Sequence, residues 1–312
     1  MCSERKPFWR TIIPLISTES MHWQVLISGL LRLTACLPLP VIHAFGAWVG
    51  WLLWLIPNTQ RRIAAINLAL CFPEWSAVAR RRLLRRTLVE TSKTMFELGP
   101  LWLWNRQRVL ALVRAVEGEE ALRTALADGR SAILITPHLG SWEMAGLYYS
   151  AHYPLTTLYR PDRLGLEALS RAGRGRLGAR LVATNPQGVR ALLQALRENG
   201  VLGILPDQDP GRESGLFVPF FGLPTNTMTL VSRLAMKTGA AVLLTYAERL
   251  PWGQGYKIHL EPLPSVVGTG PLEVSVAAMN AAIEQAVRCL PEQYLWSYKR
   301  FKRRPPGEDK FY

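Results

Sequence analysis

Ala132-Ile133-Leu134-Ile135-Thr136-Pro137-His138-Leu139-Gly140-Ser141-Trp142-Glu143 is the stretch on which the reading of the fold turns. Its first five residues form a short apolar run suited to a buried strand, and Met144, Leu147 and Tyr148 open an apolar-periodic stretch beyond it. Gly140 permits a tight turn between the two, and Ser141 is placed to cap the helix that follows. The order is therefore strand, loop, helix, with His138 in the loop and Glu143 in the first helical turn.

The same alternation continues outward from this point. Thr156 to Tyr159, Leu181 to Thr184, Val201 to Leu205, Ala241 to Tyr246 and Tyr256 to Leu260 read as further strands. Asn185-Pro186 supplies a cap and a first-turn proline to a helix whose apolar stripe is Val189, Leu192, Leu193 and Leu196, with Gly200 just past its end. Thr227 to Lys237 reads as a helix closed by Gly239, and Leu272, Val276, Met279, Ile283 and Val287 mark a last helix ended by Pro291. Strands separated by helices predict an α/β fold with a mostly parallel central sheet covered by helices on both faces.

Toward the N-terminus the pattern changes. From Leu33 to Ile56 there are 24 residues without a charge, about 36 Å of helix against a bilayer core of about 30 Å. Pro38 and Pro40 fall inside this run, so it either spans as a kinked helix or divides into two interfacial helices. Trp48, Trp51 and Trp54 share one helical side, and Arg80, Arg81, Arg82, Arg85 and Arg86 then build a basic amphipathic helix of headgroup-facing type. The expected organisation is an N-terminal membrane-anchoring helical segment over 1–60, basic membrane-proximal helices over 61–115, and an α/β catalytic domain over 116–312.

Charge points the same way. The 312 residues carry 37 Lys and Arg against 23 Asp and Glu, a formal net charge of +14. Such a surplus suits an anionic partner, and eleven Trp favour a lipid surface over nucleic acid because indoles settle at bilayer interfaces. Cys2, Cys36, Cys71 and Cys289 form no C-x-x-C pair, so neither a zinc site nor a disulfide framework is expected. No cleavable signal peptide is evident.

His138 and Glu143 are the candidate catalytic pair. A carboxylate hydrogen-bonded to one imidazole nitrogen leaves the other free to accept a proton. Such a base suits an alcohol attacking a thioester, a step in which general-base assistance is worth about 10²–10⁴-fold. The first N–H groups of the following helix are placed to stabilise an oxyanion. Competing chemistries find less support: Leu139 removes the G-x-S-x-G pattern around Ser141, no H-E-x-x-H is present, and His22, His43, His152 and His259 stand alone.

The block from His138 to Glu143 resembles the H-x4-D/E motif of glycerolipid acyltransferases. The whole chain from about 23 to 306 resembles, more closely, the late acyltransferases of lipid A biosynthesis. The segments that carry the likeness include Asn67-Leu68, Phe72-Pro73, Tyr159-Arg160-Pro161, Arg174-Gly175-Arg176, Pro206-Asp207-Gln208-Asp209, Val218-Pro219-Phe220-Phe221-Gly222, Ser232-Arg233-Leu234, Pro291 to Trp296 and Arg300 to Pro305. The resemblance implies transfer of a fatty acyl group from acyl carrier protein to a hydroxyl on an acyl chain of a Kdo-bearing lipid A precursor. It implies work at the cytoplasmic face of the bacterial inner membrane, with neither metal nor cofactor. It makes His138 the base and Glu143 its partner, and marks Arg174 and Asp209 as functional, with Arg160, Arg176, Asp207 and Gln208 as further substrate-binding candidates. An arginine such as Arg174 can hold a phosphate, a carboxylate or an oxyanion; surface or structural charge is the plainer reading of Arg160, Arg174 and Arg176. The F-P-E-G-T-R phosphate segment of glycerol-phosphate acyltransferases is replaced by Leu205-Pro206-Asp207-Gln208-Asp209, which argues against a lysophosphatidate acceptor. The rival readings are an acyltransferase with another acceptor or an acyl-CoA donor, and a non-catalytic protein binding anionic lipid or nucleic acid through its arginines.

Overall fold

The computed structural model of the chain describes residues 18–159 and 167–312, with side chains from 25 onward. Five helices come first: α1 (Thr18–Ala35), α2 (Leu39–Leu55), α3 (Thr59–Cys71), α4 (Ala77–Leu103) and the short α5 (Arg106–Leu110). Then follow β1 (Val113–Glu117), α6 (Glu119–Ala127), β2 (Ala132–Ile135), α7 (Trp142–His152), β3 (Leu155–Tyr159), α8 (Glu167–Gly175), β4 (Arg180–Ala183), α9 (Pro186–Arg197) and β5 (Val201–Ile204). A hairpin of β6 (Gly215–Phe220) and β7 (Leu223–Met228) precedes α10 (Leu230–Thr238), β8 (Ala241–Arg249), β9 (Tyr256–Pro262), α11 (Val266–Thr269) and α12 (Leu272–Cys289).

Seven strands form one sheet in the order β1-β9-β8-β2-β5-β3-β4. All neighbours are parallel except β8 and β9, which are joined by a short connection around Pro251–Gly253. The period of two along each strand feeds two cores. Ile133, Ile135, Leu202, Ile204 and Leu244 pack with residues of α9, α10 and α12, whereas Leu134, Val201 and Leu243 pack with Met144, Leu147 and Tyr149 of α7. Burial on both faces is what the near-continuous apolar strands required.

One expectation needs correction, one strand had no signal of its own, and one open alternative is narrowed. The helix read over Thr227 to Lys237 begins only at Leu230, because Thr225 and Thr227 pair with Val218 and Leu216 in the β6–β7 hairpin. β1 had no apolar run to announce it; its residues are Val-Arg-Ala-Val-Glu and its exposure alternates irregularly. The uncharged run from Leu33 to Ile56 is not one helix: α1 stops at Ala35 and α2 starts after Pro38. At 17 residues α2 is about 26 Å long. Among the described residues no single helix is long and apolar enough to cross a membrane, though α2 and α3, bent by 80° at their junction, pass that test as a pair.

α2 lies against α4 through small residues. A Cβ on Gly46 would fall 2.8 Å from the Lys93 Cα, and one on Gly50 would fall 2.4 Å from the Val89 Cα, so only glycine permits this approach. α4 is fixed to the sheet by a buried ionic cluster. Arg249, at the end of β8, donates to Glu97 Oε2 and Oε1 at 2.9 and 2.8 Å, to Glu90 Oε2 at 3.0 Å and to Thr94 Oγ1 at 2.8 Å. His43 of α2 and the Tyr256 hydroxyl complete the shell of Glu97. Burial alone pushes the Glu97 carboxyl up, but the Arg249 charge and the bonds from His43 and Arg249 overcome it and hold the group well below the usual carboxylate range.

Replacing Arg249 by Met strands a buried carboxylate, and such breakage costs about 3–5 kcal/mol. Guanidinium denaturation of Arg249→Met is expected to show a loss of that size, and Glu97→Gln on the same background is expected to recover part of it. Full additivity of the two changes would mean the pair is not coupled.

Candidate active site

The loop after β2 is shaped by its neighbours rather than by its own cap. The Gly140 N–H donates to the Gln293 carbonyl at 3.0 Å and the Ser141 N–H to the Ala247 carbonyl at 2.8 Å. Gly140 has φ +64°, and a Cβ there would lie 2.1 Å from the Ala247 oxygen, so the turn requires glycine. Contrary to expectation, the Ser141 side chain makes no capping bond to α7. The N-terminus of that helix, directly after the loop that carries His138, thus has no cap from Ser141.

The carboxylate on the imidazole belongs to Asp207. Its Oδ1 lies 2.8 Å from His138 Nδ1, and its Oδ2 accepts the His138 backbone N–H at 2.9 Å. The two residues are 69 apart in sequence but sit at the carboxyl ends of adjacent parallel strands, β2 and β5, where α/β folds gather their functional groups. Asp207 is 3% exposed and His138 15%. Burial pushes the Asp207 carboxyl up; the adjoining His138, through its ring and main-chain bonds, and the Arg300 charge outweigh that and hold it below the ordinary range. An ionised carboxylate only accepts, so Nδ1 carries the proton and Nε2 holds the lone pair. The Gln208 amide, 3.1 Å from Nε2, donates to it. Buried Tyr294 stands beside Asp207, and burial together with that charge raises its phenol well above the usual value.

Glu143, expected on the imidazole, is engaged elsewhere. Arg174, in the last turn of α8, approaches its carboxylate from Nε at 2.9 and 3.1 Å and from Nη2 at 2.5 Å, and the Trp102 indole N–H of α4 donates to Oε2 at 3.1 Å. Among the described residues no ion pair joins Glu143 to His138, and the correction is topological. Five residues on, at the start of a helix, Glu143 points along α7 toward α4 and α8, while the facing strand end supplies Asp207. His138 and Glu143 nevertheless border one cavity of about 950 Å³, together with Arg174, Gln208 and Asp209.

The other candidates divide. Arg176 donates to the Leu101 and Trp104 carbonyls and is thereby a clamp on the end of α4 rather than a substrate ligand. Asp209 accepts from the Gly211 N–H at 2.9 Å and from Arg303 Nη1 at 2.9 Å, and its Oδ2 is buried without a hydrogen-bond partner among the described residues. Arg160 lies outside the described residues. The sequence does not single out Trp102, Tyr294 or Arg303 for the site. Nothing in the sequence marks Trp102, whereas Tyr294 and Arg303 stand in C-terminal segments already noted for their likeness to lipid A enzymes.

The bacterial lipid A biosynthesis acyltransferase family matches residues 15–303. The chain belongs to that family. As one of these enzymes it is an acyltransferase of lipid A biosynthesis. It is 30% identical to the lipid A biosynthesis lauroyltransferase of Escherichia coli (strain K12), over 95% of this chain and 98% of that one. It is 32% identical to the palmitoleoyltransferase of the same organism, over 91% and 92%. A lipid A biosynthesis acyltransferase of Haemophilus influenzae is 29% identical over 88% of each chain. The two Escherichia coli relatives differ in the acyl group in their names at nearly equal identity, so chain length does not follow from overall similarity.

The Asp207→Asn acyltransferase is expected to keep its fold and lose about 10²–10⁴-fold in kcat, since the amide no longer fixes the tautomer. The sign of its pH dependence follows from the depressed carboxyl. The stabilisation is full above the unfolded value of about 3.9 and is lost as pH falls through the lower folded value. The difference in Tm between wild type and Asp207→Asn is therefore expected to be flat from pH 7 down to about 5 and to shrink in more acidic buffer. A difference that grows on acidification contradicts the assignment.

Proposed function

We propose that the enzyme transfers a fatty acyl group from acyl carrier protein to a hydroxyl on an acyl chain of a Kdo-bearing lipid A precursor, at the cytoplasmic face of the bacterial inner membrane. The observation that carries the reading is the His138 imidazole, proton-bearing Nδ1 on buried Asp207 and Nε2 on the wall of a cavity lined by Leu134, Leu147, Leu155 and Leu158. An acceptor hydroxyl takes the place of the Gln208 amide at Nε2. The imidazole removes its proton as the oxygen attacks the thioester carbonyl. Collapse of the tetrahedral intermediate forms the new ester and breaks the carbon–sulfur bond, and the imidazolium returns the proton to the departing thiolate. The uncapped N-terminus of α7 supplies positive potential for the oxyanion. Glu143, neutralised by Arg174, holds that guanidinium at the cavity rim.

An acidic carrier protein and an anionic acceptor both suit a chain of net charge +14. A bilayer location is supported by the outward residues of the first two helices, Val25, Leu26, Leu30 and Leu33 on α1 and Val41, Phe45, Trp48 and Trp51 on α2. The guanidiniums of Arg85 and Arg81 lie over the Trp51 and Trp54 rings, an aromatic and basic mixture characteristic of a headgroup layer. Trp252, 86% exposed, extends this face, since its neighbour Gly253 packs on Pro40 at the start of α2. The arrangement suits helices lying in the interface better than a single span.

Purified enzyme supplied with acyl carrier protein or CoA thioesters of one chain length decides the donor: transfer is expected from the carrier protein, and transfer from CoA alone would refute it. His138→Ala is expected to abolish transfer while retaining vesicle binding. Conversely, Trp252→Ala is expected to weaken sedimentation with vesicles containing phosphatidylglycerol several-fold and to leave turnover of detergent-dispersed substrate unchanged; undiminished sedimentation would remove Trp252 from the membrane face.

A further inference from the structure

A second concavity, of about 700 Å³, lies between the β6–β7 hairpin and the C-terminal tail. Arg212, Lys302, Arg303, Arg304 and Lys310 line it against one acidic side chain, Glu308. The tail is held there by buried Arg300, which donates to the Asn226 carbonyl at 2.7 Å and to Thr227 Oγ1 at 2.8 Å. Within the basin the cations are not equally committed. Arg304 is tied to Glu308 and the Pro224 carbonyl, and Arg303 to Asp209. Arg212 and Lys310 make no hydrogen bond or ion pair with any described residue, so their charges are uncompensated at short range.

The basin touches the catalytic cavity through a shared wall. Arg303 and Asn226 border the basin and Asp209 borders the cavity; Arg303 bonds Asp209 Oδ1 at 2.9 Å, and Asn226 Nδ2 donates to the Gly211 carbonyl at 2.8 Å. An amphiphile with an acyl hydroxyl at His138 therefore has a cationic compartment next to its polar end. Phe217, 37% exposed, gives that compartment an apolar facet against which a sugar ring can lie.

We propose that this basin binds the phosphorylated or carboxylated sugar headgroup of the acceptor lipid, with Arg212 and Lys310 as its principal anionic contacts. The proposal rests on the acyl-transfer reading above for the acceptor's identity. A headgroup is favoured over an acidic protein because the cations line a concave space adjoining the acyl cavity. Guanidinium and ammonium groups at its rim match phosphate and carboxylate oxygens.

The test is Arg212→Ala/Lys310→Ala, a pair outside the catalytic residues and without internal bonds to lose. With a diphosphorylated disaccharide acceptor at low salt, its acceptor KM is expected to rise about tenfold over wild type with kcat nearly unchanged. With the dephosphorylated acceptor the two proteins are expected to be alike, and the donor KM is expected to be the same in both. Equal acceptor KM values would overturn the proposal. So would a rise confined to the donor KM, which would make the basin a carrier-protein site. Calorimetric titration of both proteins with the diphosphorylated disaccharide in detergent separates this from the acyl-transfer reading. Tighter binding by wild type supports the basin even where no transfer is detected, and equal binding rejects it.

Discussion

The Asp207 carboxylate joins two loops that leave neighbouring strands, gripping the His138 main chain with one oxygen and its ring with the other. Two bonds to one residue fix both where the imidazole is and which nitrogen is bare. Because the carboxylate is buried and is kept ionised by the groups around it, it cannot exchange this role for water. The loop that carries His138 is otherwise supported from the side, by main-chain bonds to the end of β8 and to the C-terminal tail. The position and tautomer of the His138 imidazole thus depend on four separate segments converging at the carboxyl ends of the central strands.

Much of this fold was legible because its signals are local. β2, β5 and β8 are apolar on both faces; Asn185 caps α9 through a bond to the Gly188 N–H; Gly239 ends α10 with φ +69°. Those features depend on a few consecutive residues. The hairpin carries no such local signal: Leu-Pro-Thr-Asn-Thr-Met has no apolar alternation, and its strand state comes from pairing with β6. β1 likewise owes its place to β9.

The site was half legible for the same reason. His138 was identifiable from its place after a strand, and Arg174, Asp207, Gln208 and Asp209 from the lipid A enzyme likeness. The pairing was not. Proximity in sequence favoured Glu143, whereas the sheet order sets β5 beside β2 and brings Asp207 across from the following loop. Arg176 shows the converse: a basic residue two positions from Arg174 is turned to the α4 carbonyls, a distinction carried by the direction of α8 and not by residue type.

α4 reaches into every part of this arrangement. It receives α2 at Gly46 and Gly50, holds Arg249 through Glu90 and Glu97, and extends Trp102 to Glu143. With α2 pressed so tightly against it, the outward tryptophans and the His138 imidazole belong to one stiff body. The height of the bare nitrogen above whatever surface those tryptophans meet is thereby set by backbone packing, as the length of a rigid leg sets the reach of a caliper, and a slide of α4 along its axis would withdraw the indole from Glu143.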